Sequence, residues 1–224
     1  MHPVHALNDL ISFRTNCSVA SSLQKLQEIL RIPPSGATTS ELFPYGRVTP
    51  AEAHQKGLVK HEAAVAVLIS VIEGRLSVLF IKRSAFGIHG GQIAFPGGRR
   101  ELGERLQTTA IRELQEETGI VITENQLICP LAEVFIVPSQ FVVQPYAVII
   151  DEPPKLTIDF DEIETAFWID LEDIVRAKSN TCVVMPSGGK NEIAVNAFVL
   201  NHHIIWGATA IILDDFRKRV ESLF

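Results

Sequence analysis

An α/β fold, with a mixed central sheet between helices on both faces, is predicted by three observations. Apolar, β-rich runs precede and follow one central helical stretch. That stretch is entered through Pro96-Gly97-Gly98 and stops at Gly119. The chain then closes on a second helical stretch from Trp206 onward. Strands on either side of a helix, with another helix at the end, call for a sheet covered on both faces.

Taken in order, Ser21-Ser22 precedes an amphipathic segment with Leu23, Leu26, Ile29 and Leu30 on one side, and Ser21 with Gln24 fits a capping box. Pro33-Pro34-Ser35-Gly36 stops that helix. Residues 37–59 show little periodicity and read as extended or loop. They would cover a substrate site, make a homodimer contact, or simply decorate the main domain. Ala63 to Val71 fits a strand buried on both faces, because it is apolar throughout rather than alternating. Glu73-Gly74 is a turn and Leu76 to Ile81 the next strand. Lys82-Arg83-Ser84 leaves that strand for a glycine-rich passage, Gly87-Ile88-His89-Gly90-Gly91, and Gln92 to Phe95 is again strand.

Beyond the central helix, Leu127 to Val137 reads as a strand interrupted at Pro130, and Phe141 to Ile150 as another. Asp170 is a fitting N-cap for a short helix at Leu171-Glu172-Asp173-Ile174. Ile193 to Leu200 is a further strand candidate. In the terminal helix, Asp214 and Asp215 come before Arg217, Lys218 and Arg219, the order that suits the helix dipole.

Composition bounds the function. The 224 residues suit one generous domain or a domain plus an extension, and 46% hydrophobic with 21% charged is ordinary for a soluble globular protein. A net charge of −6 argues against broad nucleic-acid binding and means that an anionic substrate needs local help from a metal, Lys or Arg. Cys17, Cys129 and Cys182 make neither a zinc pattern nor a disulfide framework, which points to a reducing compartment. Met1 to Asn16 lacks the features of a secretory leader. The longest apolar run, Ala63 to Ile72, falls far short of the ~20 residues that span a bilayer. The expected setting is cytoplasmic, with no membrane partner.

The central helix carries the chemistry. Glu113, Glu116 and Glu117 stand at i, i+3 and i+4 and so share one side, while Ala110, Ile111, Leu114 and Thr118 turn toward a core. Like charges at this spacing repel. A solvated acidic face is one outcome. A site for a hard divalent cation with oxygen ligands is the other. Glycine at 119 ends the helix cheaply in the left-handed conformation.

The wider spacing decides between them. Gly98, five residues, Glu104, seven residues, Arg112-Glu113, an aliphatic residue, any residue, Glu116-Glu117, any residue, Gly119-Ile120 resembles the complete Nudix box, GX5EX7REUXEEXGU. Seven fixed positions at background frequencies of roughly 5–7% give a chance match on the order of 10⁻⁸ per start site. The resemblance implies an α/β/α sandwich with a catalytic loop–helix–loop that holds Mg²⁺ or Mn²⁺. It further implies hydrolysis of a nucleoside diphosphate linked to another moiety. It covers roughly residues 60 to 224, so residues 1–58 are expected to be a helical or extended extension and 59–224 the Nudix domain.

Shorter segments narrow the subgroup. Lys82-Arg83-Ser84, His89 and Gly91-Gln92-Ile93-Ala94-Phe95-Pro96-Gly97-Gly98 look like the stretch upstream of the box in coenzyme A pyrophosphatases. Val134 to Ser139 with Pro145-Tyr146, Glu162-Ile163 with Phe167-Trp168-Ile169, and Ile205 to Ala210 are similar to later segments of the same enzymes. Those enzymes commonly carry a Leu-Arg pair between the serine and the histidine. Here Ala85-Phe86-Gly87-Ile88 is one residue shorter and lacks that arginine. The resemblance implies coenzyme A or acyl-coenzyme A as the small-molecule nucleotide substrate. ADP-ribose, NADH or another nucleoside diphosphate derivative is the second reading, and a nucleotide-sensing module without activity the third.

By the same resemblance Glu113 and Glu117 are the main metal ligands, with Glu116 a ligand or a water contact and Gly97 or Gly98 offering a backbone carbonyl. Arg112 orients a box glutamate, and Glu104 is its ion-pair partner. Glu116 and Glu162 are the candidates for general base. Lys82, Arg83, Arg99 and Arg100 are candidates to hold phosphates, and His89 to touch the substrate.

Overall fold

The computed structural model describes residues 19–34, 48–85, 90–187, 189 and 191–224. Within them the elements run as follows. A helix α1 covers 19–31 and α2 covers Pro50–Gln55. Strands β1 (His61–Ile72), β2 (Arg75–Arg83), β3 (Ile93–Ala94) and β4 (Gly97–Arg99) lead to helix α3 (Leu106–Thr118). Then come β5 (Leu127–Pro130), β6 (Val134–Ile136), β7 (Phe141–Ile150), β8 (Ile163–Asp170) and α4 (Leu171–Arg176). Last are β9 (Ser179–Val184), β10 (Ile193–Leu200), β11 (His203–Trp206) and α5 (Gly207–Val220).

β1 is the middle of the main sheet. It runs parallel to β7 along its whole length, from His61 opposite Phe141 to Ser70 opposite Ile150. Its other edge is shared by two antiparallel partners, β2 from Ile69 to Ile72 and β4 from Ala63 to Val65. β3 and β8 extend the sheet from β2; β5 and β6 pair with β7. The sheet is therefore mixed, as expected. Glu73 and Gly74 both take positive φ, 49° and 78°, the primed two-residue turn whose twist matches the strands it joins.

Strand alternation sends β1 into two cores. Ala63, Val67 and Ile69 join Leu76, Val78 and Phe80 of β2 and Val143 and Ile149 of β7 in the larger cluster, closed by Leu26 and Leu30 of α1, Leu171 and Ile174 of α4, and Ala210, Leu213 and Phe216 of α5. Ala66 and Leu68 face the other way, with Leu79, Val148, Ile120, Ile122 and Leu114 of α3. Helices thus cover both faces, with α3 on the second and Ala53 of α2 packed farther along that same face on Phe135 and Val142.

Several elements differ from the sequence reading. The helix is already running at Val19, so Ser21 lies inside it and is not the N-cap. Within 37–59, read as extended or loop, lies α2. Its signal was the capping box Thr49-Pro50-Ala51-Glu52, in which the Thr49 N–H donates to Glu52 Oε2 at 2.8 Å and the Glu52 N–H to Thr49 Oγ1 at 3.2 Å. Ala53 of α2 packs on Phe135 and Val142. Pro130 ends β5 rather than interrupting one long strand, because proline cannot donate to the ladder. β9 and β11 flank the expected β10 as a separate small sheet. The turn that joins β10 to β11 at Asn201-His202, φ 46° and 68°, was the missed hairpin signal.

Candidate active site

The site is built where β4 passes the inner face of α3. Gly97 and Gly98 make that approach possible. A Cβ on Gly97 would lie 2.4 Å from the Ala64 carbonyl oxygen, and the residue holds φ 153°; a Cβ on Gly98 would lie 2.5 Å from the Glu113 carboxylate. Helix α3 ends where expected. Gly119 is left-handed at φ 72°, and its N–H donates to the Gln115 carbonyl at 2.8 Å. Ala110, Leu114 and Thr118 are buried beneath the helix, which fixes how the glutamates project.

The three acids do not share one environment. Glu117 is 1% exposed, Glu113 is mostly buried, and Glu116 is 57% exposed. Glu117 accepts the Gly97 N–H on Oε2 at 2.8 Å and an Arg83 guanidinium N–H on Oε1 at 3.2 Å. Burial pushes its carboxyl up to about 8, against the pull of Gly97 and Arg83, with the charges of Glu113 and Glu162 adding to the rise. Burial also raises Glu113, offset in part by Arg112 and reinforced by Glu116 and Glu162.

Arg112 ties the helix to the preceding loop. It grips Glu104 with two N–H groups, Nε to Oε1 at 3.0 Å and Nη2 to Oε2 at 3.1 Å. The same side chain reaches Glu113 at 2.9 Å, Glu116 at 2.8 Å and the Arg99 carbonyl at 3.1 Å. The Arg112 guanidinium holds Glu104 down at about 2, aided by the Glu101 N–H and the Thr109 hydroxyl. Thr109 was missed by the sequence reading. It is buried and donates to Glu104 at 2.8 Å, and a threonine inside a helix carries no pattern that would announce this.

The other predicted residues separate. Arg83 reaches the box because odd-numbered positions of β2 face α3, as Leu79 does in the smaller core. Lys82 is its neighbour in sequence and faces the opposite side, with Phe80. It pairs with Glu164 at 2.6 Å and is not brought to the box carboxylates. Arg99 is exposed, contributing its carbonyl to Arg112, and Arg100 is paired with Glu62 at 2.7 Å. Glu162 is exposed and tethered through its carbonyl, which accepts the Ser84 N–H at 2.8 Å. From there its charge acts on Glu113 and Glu117. His89 lies outside the described residues.

Among the described residues no three carboxylate, imidazole or thiol groups stand as a ready-made ion cage. The donors nevertheless fit a small divalent cation. Two carboxylates, Glu117 buried and Glu113 mostly so, lie one helical turn apart, both raised by burial and both by the charge of Glu162, beside a glycine pair that leaves no side chain in the way. Extra positive charge is what this cluster lacks.

The NUDIX domain model matches residues 60–182. The chain belongs to the Nudix family. The box reading of Gly98 to Ile120 therefore stands, and the protein is a Nudix hydrolase of pyrophosphate bonds. It is similar to Nudix hydrolase 3 of Caenorhabditis elegans, 28% identical over 184 residues, covering 73% of this chain and 77% of that one. It is also similar to the human mitochondrial coenzyme A diphosphatase NUDT8, 27% identical over 157 residues, 68% of this chain and 66% of that one. A MutT/nudix family protein of Enterococcus faecalis shares the fold, with TM-score 0.51, 21% identity, and 81% of this chain and 66% of that one covered. The human relative is named as mitochondrial, so the cytoplasmic expectation gains no support from it. Among the described residues, no helix is long and apolar enough to cross a membrane.

Proposed function

We propose that this Nudix hydrolase cleaves the pyrophosphate bond of coenzyme A or an acyl-coenzyme A, releasing 3′,5′-ADP and 4′-phosphopantetheine or its acyl form. One observation carries the chemistry: among the described residues Glu117 is a nearly inaccessible carboxylate with one N–H and one guanidinium to balance it, a full turn from the mostly buried Glu113. The substrate reading is supported by the coenzyme A pyrophosphatase-like segments around the box and by the relative named as a coenzyme A diphosphatase.

In this reading Glu113 and Glu117 hold Mg²⁺ or Mn²⁺, with Glu116 and the Gly97 carbonyl as further oxygen donors. When bound, such an ion neutralises phosphate oxygens and lowers the pKa of an attached water. The protein does the rest. Arg112, locked on Glu104, sets the side-chain directions of Glu113 and Glu116. Glu162 is the general base, taking the proton of the attacking water; it reaches the box carboxylates electrostatically yet is not engaged by Arg112, whereas Glu116 is. Arg83 is the basic residue placed to meet a phosphate. Water adds to one phosphorus, the bridging P–O bond breaks, and the two phosphate products leave.

We divide the chain at residue 58, with the Nudix domain beyond it; α1 then acts as an extension whose Leu26 and Leu30 complete the larger core. The three widely spaced cysteines, of which Cys129 and Cys182 are free, support a reducing cytoplasmic setting. The test is a panel of coenzyme A, acyl-coenzyme A, ADP-ribose, NADH and diadenosine polyphosphates with Mg²⁺ or Mn²⁺. The expected result is the highest kcat/KM on coenzyme A or its thioesters. A preference for ADP-ribose or NADH overturns the substrate, and no turnover of any of them overturns the catalytic reading.

A further inference from the structure

We infer that Arg83 is an internal counter-ion that occupies the cation's electrostatic role at Glu117 and yields it when the cation binds, so that the two compete. This rests on the proposed role of Glu117 as a metal ligand. Three features of the site support it. The Arg83 guanidinium lies 3.2 Å from Glu117 Oε1, while the Gly97 N–H takes the other oxygen, so one oxygen is fixed by backbone and one by a movable side chain. Arg83 is 34% exposed where Glu117 is 1% exposed, so of the two partners it is the arginine that meets solvent. Finally, Arg83 is the last residue of β2 and stands beside a register shift against β8, at the end of the ladder rather than within it.

The groups facing this carboxylate come from four directions: Arg83 from β2, Gly97 from β4, Glu113 from the preceding turn of α3, and Glu162 from the approach to β8. Arg83 supplies the positive charge in that set. A divalent ion placed against Glu117 would meet the guanidinium as a like charge. Releasing Arg83 removes that repulsion and leaves a free guanidinium next to the phosphates the ion engages. Substrate would then bind better after the cation than before it.

The test needs no substrate. Thermal melts of the full chain at pH 9 are run in EDTA and across a Mg²⁺ titration for wild type, Arg83→Met, Arg83→Lys and the double variant Arg83→Met/Glu117→Gln. Competition predicts that Arg83→Met melts lower in EDTA by on the order of 2–4 °C or more. The deficit closes at saturating Mg²⁺, and the Mg²⁺ midpoint falls about tenfold, a usual size for coupling between two sites. Arg83→Lys, which keeps the charge, stays near wild type, and in the double variant Mg²⁺ no longer closes any gap. An equal deficit in EDTA and Mg²⁺, or a weaker Mg²⁺ midpoint in Arg83→Met, makes Arg83 a permanent partner and overturns the inference alone. No stabilisation by Mg²⁺ in the wild type overturns the metal role of Glu117 and the inference with it.

Discussion

The two faces of the central sheet are built to different ends. On the larger face β1, β2 and β7 meet three helices, and the side chains between them are almost wholly apolar. On the other face α3 packs on a smaller apolar cluster, with the short α2 beside it, and the margin of that cluster carries Glu113, Glu117 and Arg83. Buried carboxylates cost stability, since desolvation of the charged form is only partly offset by hydrogen bonds. The larger core supplies the stability that lets the α3 face hold such a cluster, much as functional sites elsewhere are maintained by structure around them. Substitutions on the two faces should therefore separate activity from stability.

The largest effect is expected from Glu117→Gln. In the proposed ligand role, its loss removes several kcal/mol of transition-state stabilisation, about 10³-fold in kcat. The melting temperature in EDTA should hold or rise, because a neutral amide replaces a strained acid. Steady-state phosphate-release assays and melts read both, and full activity at matched Mg²⁺ would refute the ligand assignment. Phe216→Ala on the opposite face should do the reverse, costing about 3–5 kcal/mol of stability. The fraction that remains folded should keep its kcat, and a large kcat loss in folded protein would break the division between faces.

Gly98→Ala is a smaller strike at the α3 face. Its new methyl meets the Glu113 carboxylate, so metal affinity or activity should fall 10–100-fold, the range for residues that position ligands. Unchanged Mn²⁺ binding in that variant would show that the glycine pair matters only for backbone approach.

The pH dependence sharpens the same contrast. Glu117 has a folded value near 8, above the 4.5 of an unperturbed glutamate. Between those values the native state holds the extra proton. Stability without metal should therefore fall as pH rises from 4.5 to 8, by at most about 1.4 kcal/mol per pH unit. Saturating Mg²⁺ should flatten this slope. Glu104 has the opposite sign. Its folded value near 2 gives stability that is present above 4.5 and lost as pH falls toward 2. Chemical denaturation across pH with EDTA or Mg²⁺ checks both, and a metal-free protein that gains stability from pH 5 to 8 would contradict the assignment. The smallest change is Thr49→Ala, which removes the α2 cap for about 1 kcal/mol and should leave kcat untouched.

Much of the site could be read from residue order because it is local. The box spacing lies on one helix and the loop before it, and Gly119 marks the end of that helix by its own backbone preference. The Arg112–Glu104 pair was also legible. Thr109 was not, since its role depends on the loop folding back over the first turn of α3. The three glutamates looked equivalent on a helical wheel, and only packing divides them into two inward and one outward. The small sheet was half seen, because β9 is largely exposed and polar and shows no apolar pattern.

Lys82 and Arg83 mark the boundary between the two kinds of knowledge. Adjacent strand residues must point to opposite faces, so one of them at most could serve the box helix. Which one depends on the register of β2 against β1 and on which face α3 covers. Residues 76–81 of β2 are buried on both sides, so apolar alternation does not encode the answer. The sequence by itself determined the family, the helix of carboxylates and its ends, because these follow from spacing and local backbone energetics. Only the tertiary structure decided that Arg83 meets Glu117 and that Lys82 meets Glu164, because that pairing rests on contacts between segments far apart in the chain.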